Sequence, residues 1–103
     1  MTHSTQLAPV TALQQLIQEN PDLPRATWTI DPHEGVLHGH LHGVGMLELS
    51  AYMAVLGGAV RCARDFEHGG RTVRPHYLTS TWRDVSVSVV VLLPAPVESA
   101  VAA

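Results

Sequence analysis

The sequence predicts an α+β domain, two helices packed on a largely antiparallel sheet of up to five strands in the order α-β-β-α-β-β-β. Three observations predict it. Apolar residues recur at helical spacing in two separate stretches, they recur at every second position in the C-terminal half, and the connections there are short enough to join only neighbouring strands. A chain of 103 residues supports one modest core, placed here at residues 9–94. Residues 1–8 are expected to be a flexible N-terminus, and the small residues of 95–103 a flexible tail.

The elements follow in order. From Pro9 to Asn20, Val10, Leu13, Leu16 and Ile17 fall at helical spacing, with Pro9 suited to a first turn and Asn20-Pro21 to a stop. Ala26 to Ile30 is β-branched and aromatic, Asp31-Pro32-His33-Glu34-Gly35 has turn chemistry, and Val36 to His42 returns as a partner strand. Trp28 and Ile30 share a face and are expected in the core rather than as a stacking platform for a ligand. Met46, Leu49, Met53 and Leu56, with Tyr52 beside them, form a second helical stripe that Gly57-Gly58 ends. This stripe too reads as core before it reads as a pocket lining.

Beyond Ala59 the period becomes two. Val60, Cys62 and Phe66 lie in one run, Thr72 to Trp82 follows the turn His68-Gly69-Gly70, and Val85 to Leu93 closes a three-strand meander. Pro75 inside the second run predicts an edge or a bulge. In the last run Val85, Val87, Val89 and Val91 alternate with Ser86 and Ser88 before both faces turn apolar at Val90 and Leu92. A strand that is central, or covered by a second chain, has that pattern.

Composition narrows the function. The six basic residues are all arginine, against nine acids and a net charge of −3, which disfavours a duplex-binding surface. Arg61, Arg64, Arg71, Arg74 and Arg83 leave room for a local basic patch and so for a weak nucleic-acid binder. Cys62 is the only cysteine, so no intrachain disulfide forms, and it is expected as a core thiol on the apolar face of its strand. The longest apolar run, Val89 to Leu93, is too short to span a bilayer, and the expectation is a cytoplasmic protein without a membrane partner. Gly39, Gly43 and Gly45 lack the spacing of a phosphate loop. Ser50, Ser80, Ser86 and Ser88 have no catalytic motif around them.

One run invites chemistry, Leu37-His38-Gly39-His40-Leu41-His42. Side chains alternate along a strand, so His38, His40 and His42 project from one face about 6.6–7 Å apart. Two such neighbours can grip a transition metal, zinc or nickel in the first instance, with His33 from the turn, or His68 or His76, completing the set. Plain alternation, Leu37 and Leu41 inward and three histidines outward, accounts for the same run without a metal. A proton-linked switch at an interface is a third reading.

The leading amphipathic helix, Leu23-Pro24 before Thr27-Trp28-Thr29-Ile30, the Leu37-His38-Gly39-His40 return strand and the Val-rich closing strand together resemble small actinobacterial proteins often found with mobile elements. That resemblance implies no activity and assigns no functional residue. The expectation is a non-enzymatic interaction or regulatory module, a homodimer meeting its second chain through the Val85 to Leu93 strand or the sheet face around it. The alternatives are a metal-binding or metal-dependent protein built on His38, His40, His42 and His33, and a nucleic-acid binder using the C-terminal-half arginines.

Overall fold

A computed structural model describes residues 7–42 and 45–95. In chain order it has helix α1 (Leu7–Glu19), strands β1 (Ala26–Ile30) and β2 (Leu37–Leu41), helix α2 (Met46–Leu56), and strands β3 (Ala59–Cys62), β4 (Phe66–His68), β5 (Arg71–Trp82) and β6 (Val85–Pro94). The fold is α+β, with one strand more than expected because the run from Val60 to Phe66 is broken in two. The flexible ends expected at 1–8 and 95–103 lie outside the described residues, except that residues 7 and 8 already belong to α1 and Ala95 still donates its N–H to the Thr72 carbonyl.

All six strands join one sheet, ordered β1-β2-β6-β5-β3, with β4 continuing beyond β3 along β5. Every pairing is antiparallel except that of β2 with β6. β2 and β3 therefore run parallel, and α2 is the crossover that carries the chain past β6 and β5. β6 is the central strand, which explains its apolar residues on both faces. The Val85, Val87, Val89 and Val91 side meets Leu16, Leu49, Tyr52 and Leu56 from the helices, and Leu37, Leu41 and Leu78 complete this core. Each fully buried leucine contributes about 1.5–3 kcal/mol.

The helices are rotated from their expected stripes. α1 turns Pro9, Ala12 and Leu16 inward and leaves Ile17 51% exposed; α2 buries Leu49, Tyr52 and Leu56 and leaves Met53 41% exposed. The inward positions follow a three-to-four spacing that the extra apolar residues hid. The Trp82 indole N–H donates to the Ala12 carbonyl at 2.9 Å, and Arg83 both pairs with Glu19 at 2.6 Å and lies over the Trp82 ring, so the β5–β6 turn holds α1 in place. Arg83 and Asp84 both have positive φ, which gives the two-residue turn the twist a hairpin needs at some backbone cost.

Gly39 has a reason that alternation alone does not supply. Its cross-strand partner is Trp28, whose ring covers it so closely that a Cβ there would lie 2.7 Å from Trp28 Cζ3. The Trp28 and Tyr52 rings pack in a T-shaped pair with centroids 5.9 Å apart, and the Tyr52 hydroxyl donates to the Pro24 carbonyl. The β1–β2 loop is held by Asp31, whose Oδ1 accepts the N–H groups of His33 and Glu34 at 2.8 and 3.0 Å.

The bulge that Pro75 predicts lies between β3 and β4. Cys62 pairs with His76 and Phe66 with Val73, so three residues, 63–65, stand opposite two, Arg74 and Pro75. Ala63 donates to the Pro75 carbonyl, so proline's missing N–H falls where the ladder is already interrupted. Arg74 grips Asp65 with two hydrogen bonds, of 2.7 and 3.2 Å, across the bulge. That bond to Arg74 holds the Asp65 carboxyl below its ordinary value.

Candidate functional site

A one-residue insertion reverses which way every later side chain on the strand points. Val60 and Cys62 share the helix-covered face with their partners Leu78 and His76. Past the bulge, Phe66 and His68 pair with Val73 and Arg71, on the opposite face, with Tyr77, Val90 and Leu92. None of the core residues contributed by α1 and α2 lies on that side. This open face carries a strip of half-buried Tyr77, Val90 and Leu92 and the 43%-exposed Phe66, bordered by Thr79, Thr81, Ser86 and Ser88.

The histidine run divides. His38 and His40 both lie on the open face, opposite Thr29 and Thr27, but belong to different surroundings. His33 and His38 lie toward the Asp31 turn, where their charges add to backbone hydrogen bonds from Glu34 and His33 in lowering the Asp31 carboxyl's pKa. His40 and His42 lie at the other end of β2, their rings stacked 4.9 Å apart and 10° from parallel, with His42 Nε2 2.6 Å from the Thr27 hydroxyl. Among the described residues, no three of histidine, cysteine, aspartate and glutamate are placed to hold one metal ion.

Instead, His40 and His42 join His68 and Arg71 around a cleft of about 450 Å³. β2 stops at Leu41, paired with Val91, while β6 runs on to Pro94. Leu92, Leu93 and Pro94 form the floor of the resulting step, between the end of β2 and the β4–β5 hairpin. Because Leu41 and Leu93 line it as well as His40 and Leu92, the cleft opens at the end of the sheet rather than in the middle of its open face. Burial lowers the His40 pKa, and the like charges of His42 and His68 lower it further. The sequence offers His68 as a further metal ligand and Arg71 as part of a basic patch, and does not join them: the bulge that turns His68 to the face of His40 and Arg71 leaves a sequence signal at Pro75 alone.

Other expectations resolve individually. Cys62 is exposed, not in the core, with its Sγ 3.2 Å from His76 Nδ1; it falls on β3, the outer strand at that level, where α2 does not cover it. Arg74 and Arg83 are held by Asp65 and Glu19, which takes two cations from the basic patch. Trp28 packs against the core and also lines a second cavity, of about 330 Å³, with Leu16, Leu23, Arg25 and Tyr52. No described helix is long and apolar enough to cross a membrane. Compared with family models, curated proteins and solved structures, the chain matches none.

Proposed function

We propose that the protein is a non-enzymatic interaction module that acts as a homodimer, the open sheet face of one copy packing on that of another. The observation that carries this reading is the strip of Tyr77, Val90, Leu92 and Phe66 on a face that neither helix covers. β6 has β2 and β5 along its two edges, so a second chain meets the sheet face around it and does not extend the ladder from it. A face with an apolar strip and a hydroxyl-bearing border is suited to a two-fold interface, in which each patch meets its own copy. Two sheets packed this way lie about 10 Å apart, and a stable interface of standard size buries roughly 1,200–2,000 Å².

Sedimentation at tens of micromolar tests the proposal. A dimer is expected, and Val90→Glu, at a half-buried position outside the core, is expected to give a folded monomer because it places a carboxylate in the centre of the interface. A wild-type monomer at that concentration, or a Val90→Glu dimer of unchanged stability, overturns it.

A further inference from the structure

We propose that the cleft at the end of the sheet binds the phosphate group of a small organic phosphate, with His40, His42, His68 and Arg71 as its anion-holding groups. Four side chains that carry or can take up positive charge line one cavity. No carboxylate among the described residues lines it, and nearby Glu67 is engaged by the Thr72 hydroxyl. Unpaired cations gathered without a counter-charge repel one another, and an oxyanion relieves that repulsion while accepting the imidazole and guanidinium N–H groups. Arg71 supplies the planar fork that suits a phosphate.

The cavity also says that the ligand is more than inorganic phosphate. Val73, Leu92 and Pro94 give it an apolar floor, and the stacked His40 and His42 rings give it a flat wall. A volume of about 450 Å³ leaves space beside a phosphate for an apolar group the size of an aromatic ring. The groups facing His40 are Thr27 from β1, His42 beyond the end of β2, His68 from β4 and Arg71 from β5, with apolar residues from β6. Protonation of His40 is therefore opposed in the free protein and favoured by a bound dianion, so binding takes up a proton and strengthens as pH falls from 8 toward about 6.5, below which the phosphate loses its own second charge.

The test uses the full chain and follows the imidazole C2–H resonances by NMR while phenyl phosphate, or inorganic phosphate, is added. With phenyl phosphate the His40, His42 and His68 signals are expected to move together, while those of His33 and His38 stay in place. Affinity is expected to be severalfold higher near pH 6.5 than near pH 8, because the phosphate keeps its second charge over that range while the imidazoles gain protons. His68→Asn and Arg71→Ala, both at exposed positions, are each expected to weaken binding about tenfold with the folded spectrum intact, as loss of one charge-assisted hydrogen bond does. Inorganic phosphate is expected to bind more weakly than its phenyl ester. Three results overturn the proposal: no saturable shift at millimolar phenyl phosphate near pH 6.5, uniform shifts of all the histidines, or variants that bind as wild type does. Equal affinity for the two probes overturns the organic-ligand part. Val90 pairs with His40 across β2 and β6, so Val90→Glu would set a carboxylate beside the cleft; binding is therefore read on wild-type protein at concentrations above and below dimerisation, and an affinity unchanged between them separates the cleft from the dimer proposal.

Discussion

Gly39→Ala places the first atom of a side chain under the Trp28 ring, 2.7 Å from Cζ3 and 2.8 Å from Cη2, where ordinary contact begins at about 3.4 Å. The ring has to withdraw by roughly 0.6–0.7 Å, the difference between those distances. Tyr52, itself tied to the Pro24 carbonyl, packs against it with the two rings 64° apart and blocks withdrawal on that side, leaving movement only toward the cavity that both rings line. Overfilling a packed site costs about 1–3 kcal/mol. Against that, alanine is better than glycine within a strand by roughly 0.5–1 kcal/mol. The net expectation is a loss of about 1–2 kcal/mol, read by urea denaturation followed by far-ultraviolet circular dichroism, and a fall in Tm of roughly 5–15 °C. A second substitution isolates the cause. With Trp28→Leu in place the added methyl meets no indole, so the cost of Gly39→Ala should shrink in the double-mutant cycle. If Gly39→Ala is as stable as wild type, or if the two changes are additive, Trp28 is not the reason for the glycine.

Asp84→Gly is expected to stabilise the domain by about 0.5–1 kcal/mol, since Asp84 holds a φ of 65° that glycine adopts without steric cost; an unchanged or lower urea midpoint would count against strain at this turn. Tyr52→Phe removes the hydroxyl that bonds the Pro24 carbonyl and is expected to cost about 1 kcal/mol, again read from the urea midpoint, with no change refuting the role of that bond. His40 titrates below its ordinary value in the folded chain, chiefly through burial, so on acidification the unfolded chain takes up this proton first. The stability gained from a neutral His40 is complete above about pH 6.5, declines as pH falls toward the folded-state pKa, and changes no further below it. His40→Gln is expected to flatten the stability profile over that window, and an unchanged profile refutes the assignment.

Much of the fold was legible because a single physical rule governs each legible element. Period-two alternation marked β6, its loss at Val90 and Leu92 marked that strand as central or covered by a second chain, Gly69-Gly70 marked a tight turn, and the Asp31 to Gly35 segment marked the β1–β2 loop. The helix faces were less legible. Val10, Ile17, Met46 and Met53 are apolar yet exposed, so more than one inward stripe fitted each sequence. The histidine run was legible as a strand and misleading as a unit, because alternation places side chains on a face but does not say what surrounds each end of it. His33 and His38 share the turn with Asp31, whereas His40 and His42 meet residues more than 25 positions further along the chain. Only the sheet order brings β2 within reach of the β4–β5 hairpin.

The register of β4 on β5 is what turns His68 toward His40, and the bulge is what carries the chain into that register. Deleting Arg64, an exposed residue within 63–65, leaves two residues opposite Arg74 and Pro75 and restores simple alternation. Cross-strand partners share a face, the face of Val73 is set by the pairing of β5 with β6, and Arg71 two positions away shares it, so a β4 that keeps its register keeps Phe66 and His68 on the open face. Phosphate-ester affinity and dimerisation are therefore expected to stay close to wild type, and nuclear Overhauser contacts between Phe66 and Val73 to persist. Loss of both activities with those contacts intact would show that the bulge builds the site through something other than register.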